Sequence, residues 1–216
     1  MRVDLHTHTF HSVDSLTNVE ALVAAARRRG LDKIAVTDHN TIQGALAAYA
    51  LAPELVIIGV EVQTTRGELL GYFVKDEVPA HADPLETIRR LREQGALISI
   101  SHPFDPYRSG WSPADLLALA PLVDAVEGFN SRCLAAGMNE RAARFARDHG
   151  LPVTAGSDAH SEREVGNGAL LLPAFCSADE LRGALGLATI SGQRAPAWVR
   201  FYSLYARLVK HLRRLR

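Results

Sequence analysis

Over the first 155 residues, short apolar runs alternate with stretches whose apolar positions recur every three or four residues. The pattern predicts a strand from Val3, a helix over Thr17–Arg29, a strand at Lys33–Thr37 and a helix over Thr41–Leu51. A strand at Leu55–Val60 follows, with a hairpin through Thr64-Thr65-Arg66-Gly67 into Leu69–Val74. Beyond it the pattern predicts a helix at Pro84–Glu93, a strand at Ala96–Ser101, a helix at Pro113–Ala120 and a strand at Val123–Val126. A long helix from about Leu134 to Asp148 and a strand at Pro152–Ala155 complete the series. Gly30, Gly95 and Gly150 stand where helices end, in C-cap positions. Such alternation argues for parallel strands covered by helices, closed as a barrel or left open as a doubly wound sheet.

The polar residues sharpen this picture because six apolar strands each end in one. Leu5 is followed by His6, Val36-Thr37 by Asp38-His39, Val60 by Glu61, Ser101 by His102, Val126 by Glu127, and Gly156-Ser157 by Asp158. In a parallel α/β barrel the C-terminal strand ends converge on one face, where active sites sit. Scattered surface histidines have no reason to keep that phase. The densest stretch is Val3–Asp14, V-D-L-H-T-H-T-F-H-S-V-D. Along a strand side chains repeat with period two, so His6 and His8 point to one side and can share a cation.

With 47% hydrophobic and 22% charged residues, the 216-residue chain suits one globular domain. No apolar run precedes Val3 or approaches the roughly 20 residues of a membrane span, and a cytoplasmic location is expected. Cys133 and Cys176 lack metal-type spacing and read as buried or half-buried thiols. A net charge of zero conceals an asymmetry. Glu180 is the last acidic residue and eight Lys plus Arg follow it, leaving residues 1–180 with 16 basic against 24 acidic side chains, a net of −8.

Taken together, D-L-H-T-H-T at Asp4–Thr9, T-D-H-N at Thr37–Asn40, G-V-E at Gly59–Glu61, S-H-P at Ser101–Pro103 and G-S-D-A-H at Gly156–His160 form an ordered signature. It resembles the PHP family, named for polymerase and histidinol phosphatase domains, from Arg2 to about Gly192. The resemblance implies a distorted seven-stranded α/β barrel over residues 1–192, followed by a tail over 193–216. It also implies two or three divalent ions of zinc, manganese or iron. His6, His8, Glu61 and Asp158 would hold the first, with Glu61 bridging to a second on His102. Asp14, His39 and His160 would hold the third. One departure stands out: many relatives carry a histidine where Glu68 precedes Leu69-Leu70-Gly71-Tyr72, and a carboxylate there can ligate the second metal or face solvent.

Most characterised members of the family hydrolyse phosphate esters, so the resemblance implies a metal-dependent phosphoesterase working through a metal-bound hydroxide. The ligands Glu61, His102, Asp158 and His160 would surround the reacting group. Arg132, in V-E-G-F-N-S-R, is the candidate phosphate fork, ahead of Arg163 and Lys75, and His11 is a candidate acid at the mouth. Asp4 and Asp38 each precede a ligand and read as supports of the ligating side chains. A small phosphorylated substrate is expected, with a nucleic-acid end as another option. The competing readings are an amidohydrolase-type metal hydrolase, disfavoured by chain length and by the lack of a bridging lysine, and a catalytically silent metal-bound interaction domain.

The tail from Pro196 to Arg216 carries Leu204, Leu208, Leu212 and Leu215 at helical spacing, beside Phe201, Tyr205 and Val209. Arg200, Arg207, Lys210, Arg213, Arg214 and Arg216 occupy much of the remaining surface. The leading expectation packs the apolar stripe against the barrel and leaves the charges in water. Peripheral contact with an anionic membrane and steering of a nucleic-acid end are the alternatives.

Overall fold

The computed structural model describes residues 1–108, 110–135 and 137–214, the last by its backbone alone. Leu215, Arg216 and the Arg214 side chain, all assigned above to the tail's stripe and cationic face, lie outside the described residues. The strands are β1 (Arg2–Thr7), β2 (Lys33–Val36), β3 (Val56–Gln63), β4 (Glu68–Tyr72), β5 (Leu97–Ile100), β6 (Ala125–Asn130), β7 (Val153–Gly156), β8 (Gly168–Leu171) and β9 (Thr189–Gly192). The helices are α1 (Val19–Arg28), α2 (Gln43–Leu51), α3 (Pro84–Glu93), α4 (Pro113–Leu119), α5 (Met138–Asp148), α6 (Ala178–Leu185) and α7 (Arg200–Arg214). Local chemistry starts several of them: the Asn18, Asp83, Ser112 and Ser177 side chains each accept a backbone N–H of the first turn.

The sheet runs β7-β6-β5-β4-β3-β2-β1-β8-β9, with antiparallel pairing only at β4, β8 and β9. Its far end curls back onto β1. Thr7 and Ala159 form a parallel bridge, and Asp158 N–H donates to the His6 carbonyl at 2.7 Å. The approach is close enough to require glycine at 156, where a Cβ would lie 2.2 Å from that of His6. The result is a mixed α/β fold with a nearly closed, barrel-shaped sheet of nine strands rather than seven. The two extra strands, β8 and β9, and the helix α6 between them fall in the region where the pattern predicted no elements.

Period-two alternation divides the strand residues between layers. Val3, Leu5, Ala35, Ile57, Leu97, Ala125 and Ala155 share one apolar cluster with α6. Ile34, Val36 and Val56 pack under α1 and α2 instead, and Ile98, Ile100 and Val126 pack under α3, α4 and α5. Cys133 is buried as expected, but Cys176 is exposed. Among the described residues no helix is long and apolar enough to cross a membrane.

The tail helix departs from the leading expectation. Ser203 and Ala206 turn toward the barrel, while Phe201, Leu204, Tyr205, Leu208 and Leu212 are exposed. Polar ties hold it: Arg132 donates to the Val199 carbonyl and the Ser203 hydroxyl, both at 2.9 Å. Arg207 pairs with Asp14 at 3.0 Å, and the Lys210 ammonium donates to the Phe10 and Ser12 carbonyls. Attraction between the cationic tail and the acidic barrel mouth thus sets which side faces in.

Candidate metal centre

Two β-bulges aim the site. In β1, Asp4 pairs with Ile34 but Thr7 with Val36, so three residues of β1 oppose two of β2. The extra residue shifts the alternation by one, and His6 and His8 turn to the side occupied by Val3 and Leu5 below. β6 has the same shift between Glu127 and Phe129, which brings Asn130 beside Glu127. Glu61 reaches that side by ordinary alternation with Ile57 and Gly59. His102 and Asp158, each just past a strand end, adopt φ of 21° and 54°. Left-handed backbone at non-glycine residues is costly and concentrates where function demands it.

Four donor atoms converge between β1, β3 and β7. His6 Nε2 lies 3.0 Å from His8 Nε2 and 3.2 Å from Glu61 Oε2, and His8 Nε2 lies 3.3 Å from Asp158 Oδ1. Further separations are 3.5 Å from His8 to Glu61 and 3.7 Å from His6 to Asp158. Tetrahedral ligands with bonds of about 2.0–2.1 Å stand about 3.3 Å apart, so the set has the size of one transition-metal site. Both rings are oriented from behind. His6 Nδ1 meets Glu127 Oε1 at 2.8 Å, and His8 Nδ1 meets the Ser12 hydroxyl at 3.0 Å, which in turn donates to Asp38. These contacts leave each Nε2 facing the cluster, the arrangement that imidazole ligands need. Asp4 also acts from behind, accepting from the Ser157 hydroxyl and the Ser157, Gly166 and His6 amides.

Two further groups adjoin the first. His102 Nε2 lies 3.1 Å from Glu61 Oε1 and 3.4 Å from Glu68 Oε2. Glu68 is therefore buried beside His102 rather than turned to solvent. Asp14 Oδ1 lies 3.2 Å from His160 Nε2 and 3.5 Å from His39 Nε2, while His39 Nδ1 approaches Glu61 Oε2 at 3.1 Å. The His160 Nδ1 contact with the Asp158 carbonyl at 2.8 Å orients that ring. Asp14 Oδ1, Glu61 Oε2 and Asp158 Oδ1 are buried without a hydrogen-bond partner among the described residues. An unmatched buried carboxylate oxygen is costly. Each of the three faces imidazole nitrogens at the spacing of shared ligands, which fits divalent cations.

The electrostatics agree. Burial lowers His8, helped by the neighbouring His39, and burial with Arg132 nearby takes His160 down to about 3, so both rings are neutral donors. For His6, burial is outweighed by Glu61, Asp158 and Glu127, and its pKa is raised. Burial likewise opposes ionisation of Asp158 and Asp14, yet Arg108 with His6, and His160 with His39, hold the two carboxyls well below their usual range. The carboxylates likewise raise His39 against its burial. A bound cation would offset the same carboxylates.

Over the cluster opens a cavity of about 430 Å³, lined by Asp14, His39, Glu68 and His160 and by the guanidinium groups of Arg108, Arg132, Arg200 and Arg207. Arg132, expected as the phosphate fork, has its Nε on Glu164 at 2.7 Å and its other nitrogens on Val199, just before α7, and on Ser203 within it. Its donors are committed to the fold. Arg108 pairs with Asp158 and Arg207 with Asp14, while Arg200 reaches Asp105 at 3.3 Å, so these three place cationic donors around the cavity. Arg108 and Arg200 were not legible as site residues, because neither stands in a motif. His11 does not line the cavity; its ring packs on Phe10 with centroids 4.2 Å apart. Lys75 is exposed, and the Arg163 guanidinium turns to the Tyr202 hydroxyl, at 3.5 Å.

A barrel-like α/β chain with a buried imidazole and carboxylate cluster at its strand ends defines a metal-site protein. Residues 4–129 match the PHP domain, and residues 137–189 match the PHP-associated domain. The chain belongs to the PHP domain family. An uncharacterized Methanocaldococcus jannaschii protein, MJ0417, is 35% identical over 171 residues, covering 77% of this chain and 68% of that protein. A two-domain Bacteroides vulgatus protein containing a predicted PHP-like metal-dependent phosphoesterase superposes with a TM-score of 0.74 at 22% identity, covering 89% of this chain and 65% of its own. The lesion-specific endonuclease EndoQ of Pyrococcus furiosus superposes at 0.64 and 17% identity, covering 88% of this chain and 58% of its own. At these identities the likeness is one of fold.

The Glu68 position offers a direct test. Glu68→Ala is expected to lower metal retention by at least about tenfold, the lower end of what even supporting residues contribute. Glu68→His should retain metal at least as well as the wild type. A chelator titration followed by elemental analysis reads both, and equal retention in all three proteins would show that Glu68 plays no part.

Proposed function

We propose that the chain is a metal-dependent hydrolase of phosphate esters. The reading rests on three partnerless buried oxygens, of Asp14, Glu61 and Asp158, beneath a cavity lined with guanidinium groups. His6, His8, Glu61 and Asp158 would hold one cation, Glu61, Glu68 and His102 a second, and Asp14, His39 and His160 a third. Imidazole and carboxylate together suit zinc, manganese or iron. Divalent cations bound there supply Lewis acidity and a water ionised near neutral pH.

The chain's own side chains do the rest. Arg108, Arg200 and Arg207 would bind phosphoryl oxygens, and Glu127, Ser12 and Asp38 hold the ligating rings in place. A cavity of about 430 Å³ matches a single phosphorylated metabolite or nucleotide. Guanidinium donors favour an anionic phosphate over a neutral amide, so an amidohydrolase activity is the weaker reading.

The test is a panel of phosphomonoesters, phosphodiesters and amides, assayed with Mn²⁺ and then Zn²⁺. Metal-dependent release of phosphate or alcohol from a phosphoester is the expected result. Turnover of amides alone, or of nothing by metal-loaded protein, would overturn the proposal.

A further inference from the structure

The barrel leaves the apolar side of α7 uncovered. Leu204 is 64% exposed, Leu208 55% and Leu212 53%, with Phe201 and Tyr205 beside them, whereas Ala206 on the inner side is 1% exposed. At 3.6 residues per turn these five side chains form one outward row, with Arg213 on one flank and Arg200 and Arg207 on the other. Leu16 of the barrel lines a surface groove together with Tyr205 of the row. Lys210 holds the loop after β1 through the Phe10 and Ser12 carbonyls, and that loop exposes Phe10, Val13 and Leu16.

We propose that this face docks on an anionic lipid bilayer, the outward row of α7 entering the interfacial layer. Charge selects this occupant. No acidic residue follows Glu180, so α7 has no carboxylate of its own; barrel carboxylates meet Arg200 and Arg207 from the inner side, Arg207 remaining 63% exposed, and Arg213 stands exposed on the other flank. Two copies meeting through this row would bring the flanking Arg213 and Arg207 side chains together, and like charges at an apolar contact oppose it. An anionic lipid surface instead matches both the row and its cationic flanks. Exposed aromatic side chains, Trp198 in the turn before the helix and Phe201 and Tyr205 in its first turns, suit the headgroup boundary, where an amphipathic ring is half apolar and half wet. Since the inner side of α7 walls the cavity, docking would hold the mouth of the metal centre at the bilayer surface.

The test uses the full chain with vesicles of phosphatidylcholine alone or mixed with phosphatidylglycerol. Co-sedimentation with the mixed vesicles, weaker with the neutral ones and weakened by salt, is the expected result. Leu208→Asp with Leu212→Asp should lower the bound fraction at least about tenfold while leaving metal-dependent hydrolysis unchanged, because neither residue lines the cavity. Should that double variant fail to fold, Arg213→Glu must still weaken binding to the mixed vesicles. Several outcomes would overturn the proposal: no binding of the wild type to mixed vesicles, equal binding by the variants, or retention on oligonucleotides in place of vesicles. A wild-type dimer that becomes monomeric in the double variant, without vesicle binding, would assign the face to a second copy and overturn it as well.

Discussion

His8→Ala is expected to leave the purified protein at least one metal equivalent short of the wild type and to lower phosphoester hydrolysis by about a thousandfold or more. The size follows from the contribution of a Lewis acid, several kcal/mol, at about 1.4 kcal/mol per factor of ten. His8 is central because its Nε2 lies within 3.0–3.5 Å of His6, Asp158 and Glu61, and its ring lies tilted against those of His39 and His160 with centroids 4.6 and 4.3 Å away. Elemental analysis after incubation with Mn²⁺ or Zn²⁺, with activity measured on the same sample, reads both effects. A wild type with under one metal per chain, or a variant with full metal and activity, would refute the assignment.

Arg132→Met is expected to destabilise the fold by about 3–5 kcal/mol, the usual loss when one partner of a buried ion pair is removed. Arg132 is 3% exposed, and its partner Glu164 would be left buried with only the Ser161 hydroxyl and the His160 amide as donors. For a chain of this length that corresponds to roughly 6–20 °C in Tm. Burial already raises the Glu164 pKa above its ordinary 4.5, against the pull of Arg132. A carboxyl with a raised folded pKa favours folding most below its unfolded value, and that contribution is lost as pH rises through the folded value. Removing Arg132 raises the folded value further. The deficit of the variant should therefore grow as pH rises above the ordinary carboxylate range, on top of a pH-independent part from the lost bonds to Val199 and Ser203. Urea denaturation at about pH 4.5 and about pH 8 checks this, and a deficit of equal size at both would show that Glu164 is not its titrating source.

Much of the site was legible in the order of residues. Each ligand-type residue named from the strand ends lies at the cluster or directly behind it, because apolar runs mark strands and a parallel arrangement sends their C-terminal ends to one face. Asp38 was likewise readable as a support, since it directly precedes His39, whereas Asp4, two residues before His6, lies behind it only because of the β1 bulge. Arg132 illustrates the limit. As a residue type it fits a phosphate fork, yet its donors go to Glu164, Val199 and Ser203, residues 32, 67 and 71 positions away. Only the folded chain sets those distances.

The same division holds for the architecture. Alternating apolar runs and helical periodicity, with glycine stops, determined the first seven strands, the helices between them and the class of fold, because these are properties of neighbouring residues. The four-residue strands β8 and β9 have no such signal. They form because β1 offers an open edge to β8 and β8 one to β9. The β1 bulge that turns His6 and His8 inward is invisible for the same reason, since a register shift is defined by the partner strand. The orientation of α7 was decided last. Its sequence specifies an amphipathic helix and fits either side against the barrel; what selects the polar side is the Asp14 carboxylate, the loop carbonyls and the Arg132 guanidinium waiting at the mouth. Long-range electrostatics between segments distant in sequence made that choice.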